Sequence, residues 1–340
     1  MNLRLIRAAT AFALALLTAA AHAWGPDGHH TVGALADRLI AGTDAEDHVH
    51  KLLGPLTLEQ AATWADCAKG VDPRKDFAYT SAGKYPECAI FETPQGEAEM
   101  IDFVRRNDTN CPREPGDESC HKEYHYTDEA IQREHYHRGD VGTREFDVVA
   151  AITAAIDVLK GEPAPGPFDI KDKREALLLL DHYVGDIHQP LHVGAVYLDA
   201  RGHVVDPAPD HFDRATSTQG GNTIATNHVA ASGRAENLHS HWDAIPELLR
   251  ASHIDDAWLA LARAVPPSRG PMDGWSAAWA DETLARAREA LKDLAYGPQA
   301  NGSRSVNLDG HYDESMMAIK KQQLTEAGAR LAQTLETIWP

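Results

Sequence analysis

The sequence predicts an all-α protein, mainly helical, that folds as one domain with long loops and at most one short strand pair. Apolar residues recur at helical spacing in several segments, and no strand–helix alternation of the kind that builds a parallel sheet is present. Four consecutive leucines at 177–180 indicate a helix that is buried on all sides. The 340 residues contain no internal repeat and no heptad array.

The first 23 residues have the composition of a secretory signal. Arg4 and Arg7 precede an apolar run at 8–20, and Ala-His-Ala at 21–23 has the small–x–small pattern of a cleavage site. The apolar run is too short to serve as a lasting membrane anchor. We therefore expect a secreted or periplasmic monomer that begins at Trp24, has no membrane anchor and forms one domain over 24–340.

Helical segments and loops alternate along the rest of the chain. Helical periodicity covers 32–40, 56–68, 146–159, 176–189, 275–294 and 314–338. Residues 71–120 are rich in proline and read as loop, and 196–237 form a long polar, glycine-rich segment. Loops of that length are usually functional. A short strand pair is expected near 222–231.

Four cysteines in an exported chain predict two disulfides. The sequence lacks a Cys-x-x-Cys pair, which argues against a zinc ribbon. Cys111 and Cys120 flank an acidic loop, and a local bond between them would leave Cys67 to pair with Cys88. The sequence leaves the pairing open.

The net charge of −19 excludes binding to nucleic acid or anionic membranes by general attraction. Removal of the signal takes away two arginines and no acidic residue, which makes the charge −21. A phosphate-bearing substrate would need a local positive site, which bound metal can provide.

The densest group of potential metal ligands follows the four leucines. Within twelve residues the chain places Asp181, His182, Asp186, His188 and His192. His182 and Asp186 are four residues apart and share one helical face, so they can hold one cation, with zinc as the first candidate. Pro190 ends or kinks the helix, so the side chain of His192 should point away from the pair formed by His182 and Asp186. The alternative is a buried helix whose histidines are hydrogen-bonded within the core.

The same spacing recurs later in the chain. His239 and Asp243 are again four residues apart. Two such pairs, with His192 left over, indicate more than one metal ion.

Taken together and in order, the ligand motifs resemble those of the S1/P1 nuclease family, secreted zinc-dependent nucleases that act on single-stranded nucleic acid. The matching motifs are Trp24-Gly-x-x-Gly-His29, Trp64-Ala-Asp66, His125, His182-x-x-x-Asp186, Pro190-Leu-His192 and His239-x-x-x-Asp243. His30 is the rival of His29, but the spacing from Trp24 favours His29.

The resemblance implies a cleft that holds three zinc ions. Asp66, His125, His182 and Asp186 would hold the first ion. His192, His239 and Asp243 would hold the second, and His29, Asp186 and the backbone amine and carbonyl of Trp24 would hold the third. Asp186 would then bridge two ions, and signal cleavage would free the amine that serves as a ligand.

The resemblance also implies the reaction. A water shared by two zinc ions would ionise near neutral pH and attack phosphorus in line. DNA and RNA single strands would be cut to 5′-phosphorylated products, and 3′-nucleotides would lose their 3′-phosphate.

Three further residues are expected to meet the substrate or the attacking water. Tyr126 matches a position that stacks on a base in the family, although a core tyrosine is an equal alternative. Asp128 would orient the water or contact the base. Some members carry another carboxylate where this chain has Ala130. The identity of the group that activates the water is therefore left open by the sequence. Asn222, after two glycines, resembles a Gly-Gly-Asn motif near the site, and a plain turn explains it nearly as well.

Two other function classes remain open. A zinc phospholipase C is a related all-α trinuclear phosphodiesterase, but its loops should be apolar, whereas 93–128 and 196–237 are mostly polar. A non-catalytic zinc-binding protein is less compatible with Asp186, because a carboxylate shared by ions with open positions is typical of catalysis.

Overall fold

The computed structural model describes residues 24–113, 117–229, 233 and 235–340. The signal expected at 1–23 lies outside the described residues. Within them the helices are α1 Pro26–Leu39, α2 Asp44–Leu53, α3 Leu58–Ala61, α4 Trp64–Ala68, α5 Pro94–Arg106, α6 Cys120–Glu123, α7 Val148–Lys160, α8 Lys173–Ile187, α9 Leu238–Asp243, α10 Asp256–Arg263, α11 Trp275–Leu291 and α12 Gly310–Ile338.

The strands are short and lie mostly in the loops. They are β1 Val71–Asp72, β2 Ala78–Tyr79, β3 Glu129–Ala130, β4 Gly194–Ala195, β5 Tyr197–Leu198, β6 Val204–Val205, β7 Ile224–Val229, β8 Ala235–Asn237 and β9 Arg304–Ser305. β1–β2, β3–β4 and β5–β6 form three two-stranded sheets, and a fourth sheet has three strands in the order β8-β7-β9. β7 pairs antiparallel with β8 and parallel with β9.

The mainly helical class is confirmed, and the strand content exceeds the single pair that was expected. Most of the additional strands are only two residues long. Such pairs leave little periodicity in a sequence, because two residues cannot display an alternating pattern.

Helix α8 lies at the centre of the fold, as its four leucines predict. Every residue from Glu175 to Ile187 is buried, and α7, α1 and α12 pack around the helix. Full burial of a leucine side chain stabilises the fold by about 1.5–3 kcal/mol. This core fixes the backbone of the helix that carries His182 and Asp186.

Two disulfides hold the loop-rich region between α4 and α6. Cys67 is bonded to Cys88, and Cys111 is bonded to Cys120. The expectation of two disulfides is confirmed, with the local pairing of Cys111 and Cys120. Among the described residues, no helix combines the length and the apolar character that crossing a bilayer requires.

Candidate metal centre

Helix α8 places His182 and Asp186 in the interior. Asp172 caps its N-terminus by accepting a hydrogen bond from the N–H of Glu175. Four residues apart on one face, His182 Nε2 and Asp186 Oδ2 are separated by 3.3 Å. Both side chains are fully buried. A histidine and a carboxylate that share a dry site require a cation or a proton between them.

The chain turns sharply after α8, as Pro190 predicts. A short 3-10 helix at Pro190–His192 follows, and the side-chain oxygen of Gln189 accepts a hydrogen bond from the N–H of Leu191. The turn places His192 beside the carboxylate, with 4.0 Å between its Nδ1 and Oδ1 of Asp186.

Asp186 stands between ligands on two sides. Its Oδ2 lies 2.9 Å from Nδ1 of His125, and its Oδ1 lies 3.4 Å from Nε2 of His29. Burial alone would raise the pKa of this carboxyl, but the charge on His182 and the hydrogen bonds of the histidines hold the pKa well below its ordinary value. Each carboxylate oxygen therefore faces a different group of imidazoles, which is the arrangement that a bridging ligand requires.

The first of these groups contains Asp66, His125 and His182. Helix α4 supplies Asp66, whose Oδ1 lies 3.6 Å from Nε2 of His182 and 3.9 Å from Nδ1 of His125. The two imidazole nitrogens are 3.0 Å apart. With Asp186, these residues offer two imidazoles and two carboxylates, a donor set that zinc accepts.

His29 of α1 approaches Asp186 at the other carboxylate oxygen, Oδ1. Its ring stacks on that of His182, with 3.9 Å between centroids. A Cβ on residue 185 would lie 2.8 Å from Nδ1 of His29, so only glycine at that position permits the contact. Neither ring nitrogen of His29 hydrogen-bonds to any described residue, although the side chain is fully buried.

Trp24 lies at the end of α9. The N–H of the next residue, Gly25, donates to the carbonyl oxygen of Asp243 over 2.8 Å, and the indole of Trp24 is fully buried. Trp24 and Gly25 are therefore held against α9, the helix that carries the predicted ligand Asp243.

The second group contains His192, His239 and Asp243. Nδ1 of His192 donates to the carbonyl of His125, and Nδ1 of His239 donates to the carbonyl of Gly220. A carbonyl only accepts, so each ring carries its proton on Nδ1. Burial, followed by repulsion from His192, lowers the pKa of His239 to about 3, and burial also lowers the pKa of His192, so both rings favour the neutral form at neutral pH. The Nε2 atoms, only 3.0 Å apart, therefore face each other with lone pairs.

These observations fit a bound divalent cation. Two lone pairs at 3.0 Å repel unless a cation lies near both. Among the described residues, neither nitrogen of His29 nor Oδ1 of Asp186 makes a hydrogen bond, although Nε2 and Oδ1 lie 3.4 Å apart, so these atoms add potential ligands in the same region. Imidazoles held through Nδ1 on backbone carbonyls are typical of zinc ligands.

Comparison with known proteins agrees with this arrangement. The family model described as S1/P1 Nuclease matches residues 24–340. The chain belongs to the S1/P1 nuclease family. It is similar to Nuclease S1 of Aspergillus oryzae (strain ATCC 42149 / RIB 40), with 26% identity over 349 residues that cover 98% of this chain and 96% of the relative.

Two other relatives match over shorter stretches. Endonuclease 2 of Arabidopsis thaliana is 29% identical over 182 residues, or 48% of this chain and 52% of the relative. Nuclease P1 of Penicillium citrinum is 25% identical over 243 residues, or 69% of this chain and 63% of the relative. The match thus spans about half the length of the Arabidopsis relative.

In this S1/P1 family member, the three other predicted residues lie in different settings. Tyr126 is half-buried, and its hydroxyl donates to Oε2 of Glu123 over 3.0 Å. Burial, with repulsion from Glu123, raises the pKa of Asp128 to about 7. Asn222 donates from Nδ2 to the carbonyl of Gln219, a contact within its own turn.

The loop before Asn222 serves the centre through its backbone. The carbonyl of Gly220 accepts the proton of His239, and residue 220 has a φ of +57°. A Cβ at this position would lie 2.5 Å from the carbonyl oxygen of Leu191. Glycine is thus required at 220 for both the backbone conformation and the close approach.

Lys69 is a site residue that the sequence motifs do not predict. Its Nζ lies 2.7 Å from Oδ1 of Asp66, and its charge lowers the pKa values of His125 and His192 after the larger effect of burial. The spacing of Asp66 and Lys69 is an i,i+3 pair, which is a usable sequence signal once Asp66 is recognised as a ligand.

Proposed function

We propose that this protein is a zinc-dependent endonuclease that cuts single-stranded DNA and RNA and leaves 5′-phosphates. The observation that best supports it is the facing pair of Nε2 atoms on His192 and His239, 3.0 Å apart, in a chain of a nuclease family. The names of the relatives, Nuclease S1 and Endonuclease 2, agree with phosphodiester hydrolysis. Release of the 3′-phosphate from 3′-nucleotides is part of the proposal.

We assign three zinc ions to the centre. Asp66, His125, His182 and Asp186 would hold one ion. His192, His239 and Asp243 would hold another, and His29, Asp186 and the backbone amine and carbonyl of Trp24 would hold the third. The two oxygens of Asp186, directed at His125 and at His29, support its role as the shared ligand.

Zinc bound in this centre would act as a Lewis acid on phosphoryl oxygens and would make a coordinated water acidic at neutral pH. The chain itself supplies the electrostatic setting. At a net charge of −19 the protein repels a polyanion as a whole. The ammonium group of Lys69, beside Asp66, is a protein cation at this centre that would meet the scissile phosphate.

The hydrolysis adds water across one P–O bond. Water oxygen bonds to phosphorus, the bond from phosphorus to the 3′ oxygen breaks, and the 3′ oxygen leaves with a proton as a hydroxyl. The carboxyl of Asp128 is suited to hold the proton that the water releases, because burial raises its pKa to about 7. Contact with the base remains the alternative role for Asp128.

Tyr126 would bind the base next to the cleaved bond. Stacking on a half-buried ring contributes roughly 1–3 kcal/mol per base and tolerates any base. The hydrogen bond from its hydroxyl to Glu123 would hold the ring in place. Asn222, close to the Gly220 carbonyl that orients His239, would contact the substrate from the opposite loop.

The proposal extends to location and assembly. Two disulfides are typical of an oxidising compartment, which agrees with export by a signal at 1–23. We infer a secreted or periplasmic monomer without a membrane anchor, formed by one domain over 24–340.

A digestion experiment tests the function. Labelled single- and double-stranded DNA and RNA are incubated with protein that begins at Trp24, with and without a zinc chelator, and the product ends are analysed. We expect single strands to yield 5′-phosphates and 3′-hydroxyls, and the chelator to stop cleavage. Release of choline phosphate from phosphatidylcholine vesicles, with intact nucleic acid, would instead identify a phospholipase. Zinc binding with neither reaction would indicate a storage protein.

A further inference from the structure

A second cluster of metal-ligating side chains lies outside the candidate centre. We call it the outer cluster, and its members are His228 of β7, Glu236 of β8, His241 of α9 and Asp313 of α12. We propose that the outer cluster binds an additional zinc ion through His228, His241 and Asp313.

The donor atoms are already close to one another. Nε2 of His241 lies 3.1 Å from Oδ1 of Asp313, and Nε2 of His228 lies 3.8 Å from Oδ2 of the same carboxylate. The two imidazole rings have centroids 4.4 Å apart. Donors bonded to one tetrahedral zinc at 2.0–2.1 Å are about 3.3 Å apart. Small side-chain rotations would therefore bring all three to bonding distance.

Glu236 orients one of these imidazoles. Its Oε2 lies 2.9 Å from Nδ1 of His241, so the carboxylate holds the Nδ1 proton and leaves Nε2 directed at Asp313. A carboxylate that holds the distal nitrogen of a histidine is the usual outer partner of a zinc ligand.

A proton on His241 is the alternative occupant. An imidazolium would satisfy both Glu236 and Asp313, which lie 2.9 and 3.1 Å from its nitrogens. It would not engage His228, whose Nε2 is 3.8 Å from Asp313 and thus beyond hydrogen-bonding distance. A metal ion accounts for all three donors, whereas a proton accounts for only one imidazole.

The outer cluster is separate from the candidate centre and open to solvent. His241 lies two residues from both His239 and Asp243, which places it on the opposite side of α9 from that pair. The side chain of His228 is 31% exposed and that of Asp313 is 38% exposed, so an ion can enter directly. Zinc here would bind only the folded chain and would join β7, α9 and α12, which stabilises the fold.

Zinc stoichiometry tests the proposal. Protein that begins at Trp24, its His228→Ala and Asp313→Asn variants, and a His203→Ala control are equilibrated at a series of buffered free-zinc concentrations. His203 is a matched control because it forms an exposed pair with Asp199, 3.1 Å away, at the surface. We expect the parent and the control to bind one more zinc per chain than the two other variants.

The same samples give a second readout. Raising free zinc after the tighter sites are filled should increase the Tm of the parent and of His203→Ala, but not of His228→Ala or Asp313→Asn. Equal stoichiometry in all four proteins would overturn the proposal. So would zinc-soaked crystals whose anomalous density fills the candidate centre and is missing between His228, His241 and Asp313. Neither readout depends on nuclease activity.

Discussion

The ammonium group of Lys69 lies 2.7 Å from Oδ1 of Asp66, and each side chain is less than a tenth exposed. Lys69 is the C-cap residue of α4, the short helix that carries Asp66. The same turn of backbone therefore presents an anionic ligand and a cation at the candidate centre. A cation held there meets a phosphate without the loss of side-chain entropy that an exposed lysine would incur.

Replacement of Lys69 should weaken substrate binding. Lys69→Met keeps the length of the side chain and removes its charge, so we expect kcat/KM on single-stranded DNA to fall by a factor of about 10–100, the range for a charged hydrogen bond. Lys69→Arg should retain most of the activity. Steady-state kinetics and zinc analysis are measured together. Loss of zinc in proportion to activity would mean that Lys69 acts on the ligands and not on the substrate.

Asp186 should be the most sensitive of the predicted ligands. Its two oxygens face different imidazole groups, whereas Oδ1 of Asp243 accepts a hydrogen bond from Gln189 and only the other oxygen approaches His239. Asp186→Asn should therefore lose more zinc and more activity than Asp243→Asn. Elemental analysis and DNA cleavage measure both effects, and equal losses in the two variants would contradict a bridging role.

Tyr126 should bind substrate more than it stabilises the fold. The ring is half-buried, and Tyr126→Ala should weaken binding of a short oligonucleotide by roughly 1–3 kcal/mol. Tyr126→Phe should keep the stacking and lose only the hydrogen bond to Glu123. Binding constants and Tm are measured for both variants. A large decrease in Tm with unchanged binding would show that the tyrosine is structural.

An extra residue before Trp24 should remove one zinc ion. In a peptide bond the Trp24 nitrogen has no lone pair for a metal, whereas a free α-amine has a pKa near 7.7–8.0 and can bind. The N–H of Gly25 donates to the carbonyl of Asp243, which holds the residue after Trp24 against the segment that carries a predicted ligand. Protein that begins at Trp24 is compared with protein carrying one added alanine. Full zinc content and full cleavage rate in the extended protein would exclude the N-terminal ligand.

His121 should make the fold sensitive to acid. The ring is fully buried, neither nitrogen hydrogen-bonds to a described residue, and burial, with Lys122 and Lys69, lowers its pKa from 6.5 to about 3. The unfolded chain binds the proton more readily, so stability is complete above pH 6.5 and is lost as the pH falls toward 3. Between pH 8 and pH 5 this residue should account for a loss of about 2 kcal/mol.

Denaturant unfolding of zinc-loaded His121→Leu measures that contribution. The parent should lose about 2 kcal/mol more than His121→Leu between the two pH values. His50→Leu, a change at an exposed position of α2, serves as the control and should follow the parent. A parent and His121→Leu with the same pH dependence would show that protonation of His121 is tolerated in the fold.

The long helices and the ligand motifs could be predicted from sequence because both depend on local spacing. The pattern at 146–159 corresponds to α7, and that at 314–338 corresponds to most of α12. The segment 56–68 divides into α3 and α4, since Thr63, with ψ near 0°, interrupts the helix. Helix α5 lies within 71–120, where the several prolines predict loop and not helix. Proline is tolerated at the first helical position, and Thr93 caps the helix by accepting from the N–H of Gly96.

The supporting contacts of the centre could not be predicted. His182 donates from Nδ1 to the carbonyl of Ala62, 120 residues away in the sequence. Every residue has a backbone carbonyl, so the side chain at position 62 gives no sequence signal for this hydrogen bond. The contacts of His241 with Glu236 and Asp313 could not be predicted either, because they depend on how β8, α9 and α12 meet in space.

The backbone carbonyls that hold the imidazoles make the centre tolerant of sequence drift. The proton of His182 is accepted at residue 62 and that of His239 at residue 220. Substitution at 62 changes a side chain but leaves the acceptor in place, so the tautomer of His182 is inherited with the fold and not with a particular amino acid. Residue 220 is the exception, because its φ and its closeness to Leu191 demand glycine. Substitutions can therefore accumulate around α8 while the backbone acceptor of the His182 proton stays in place.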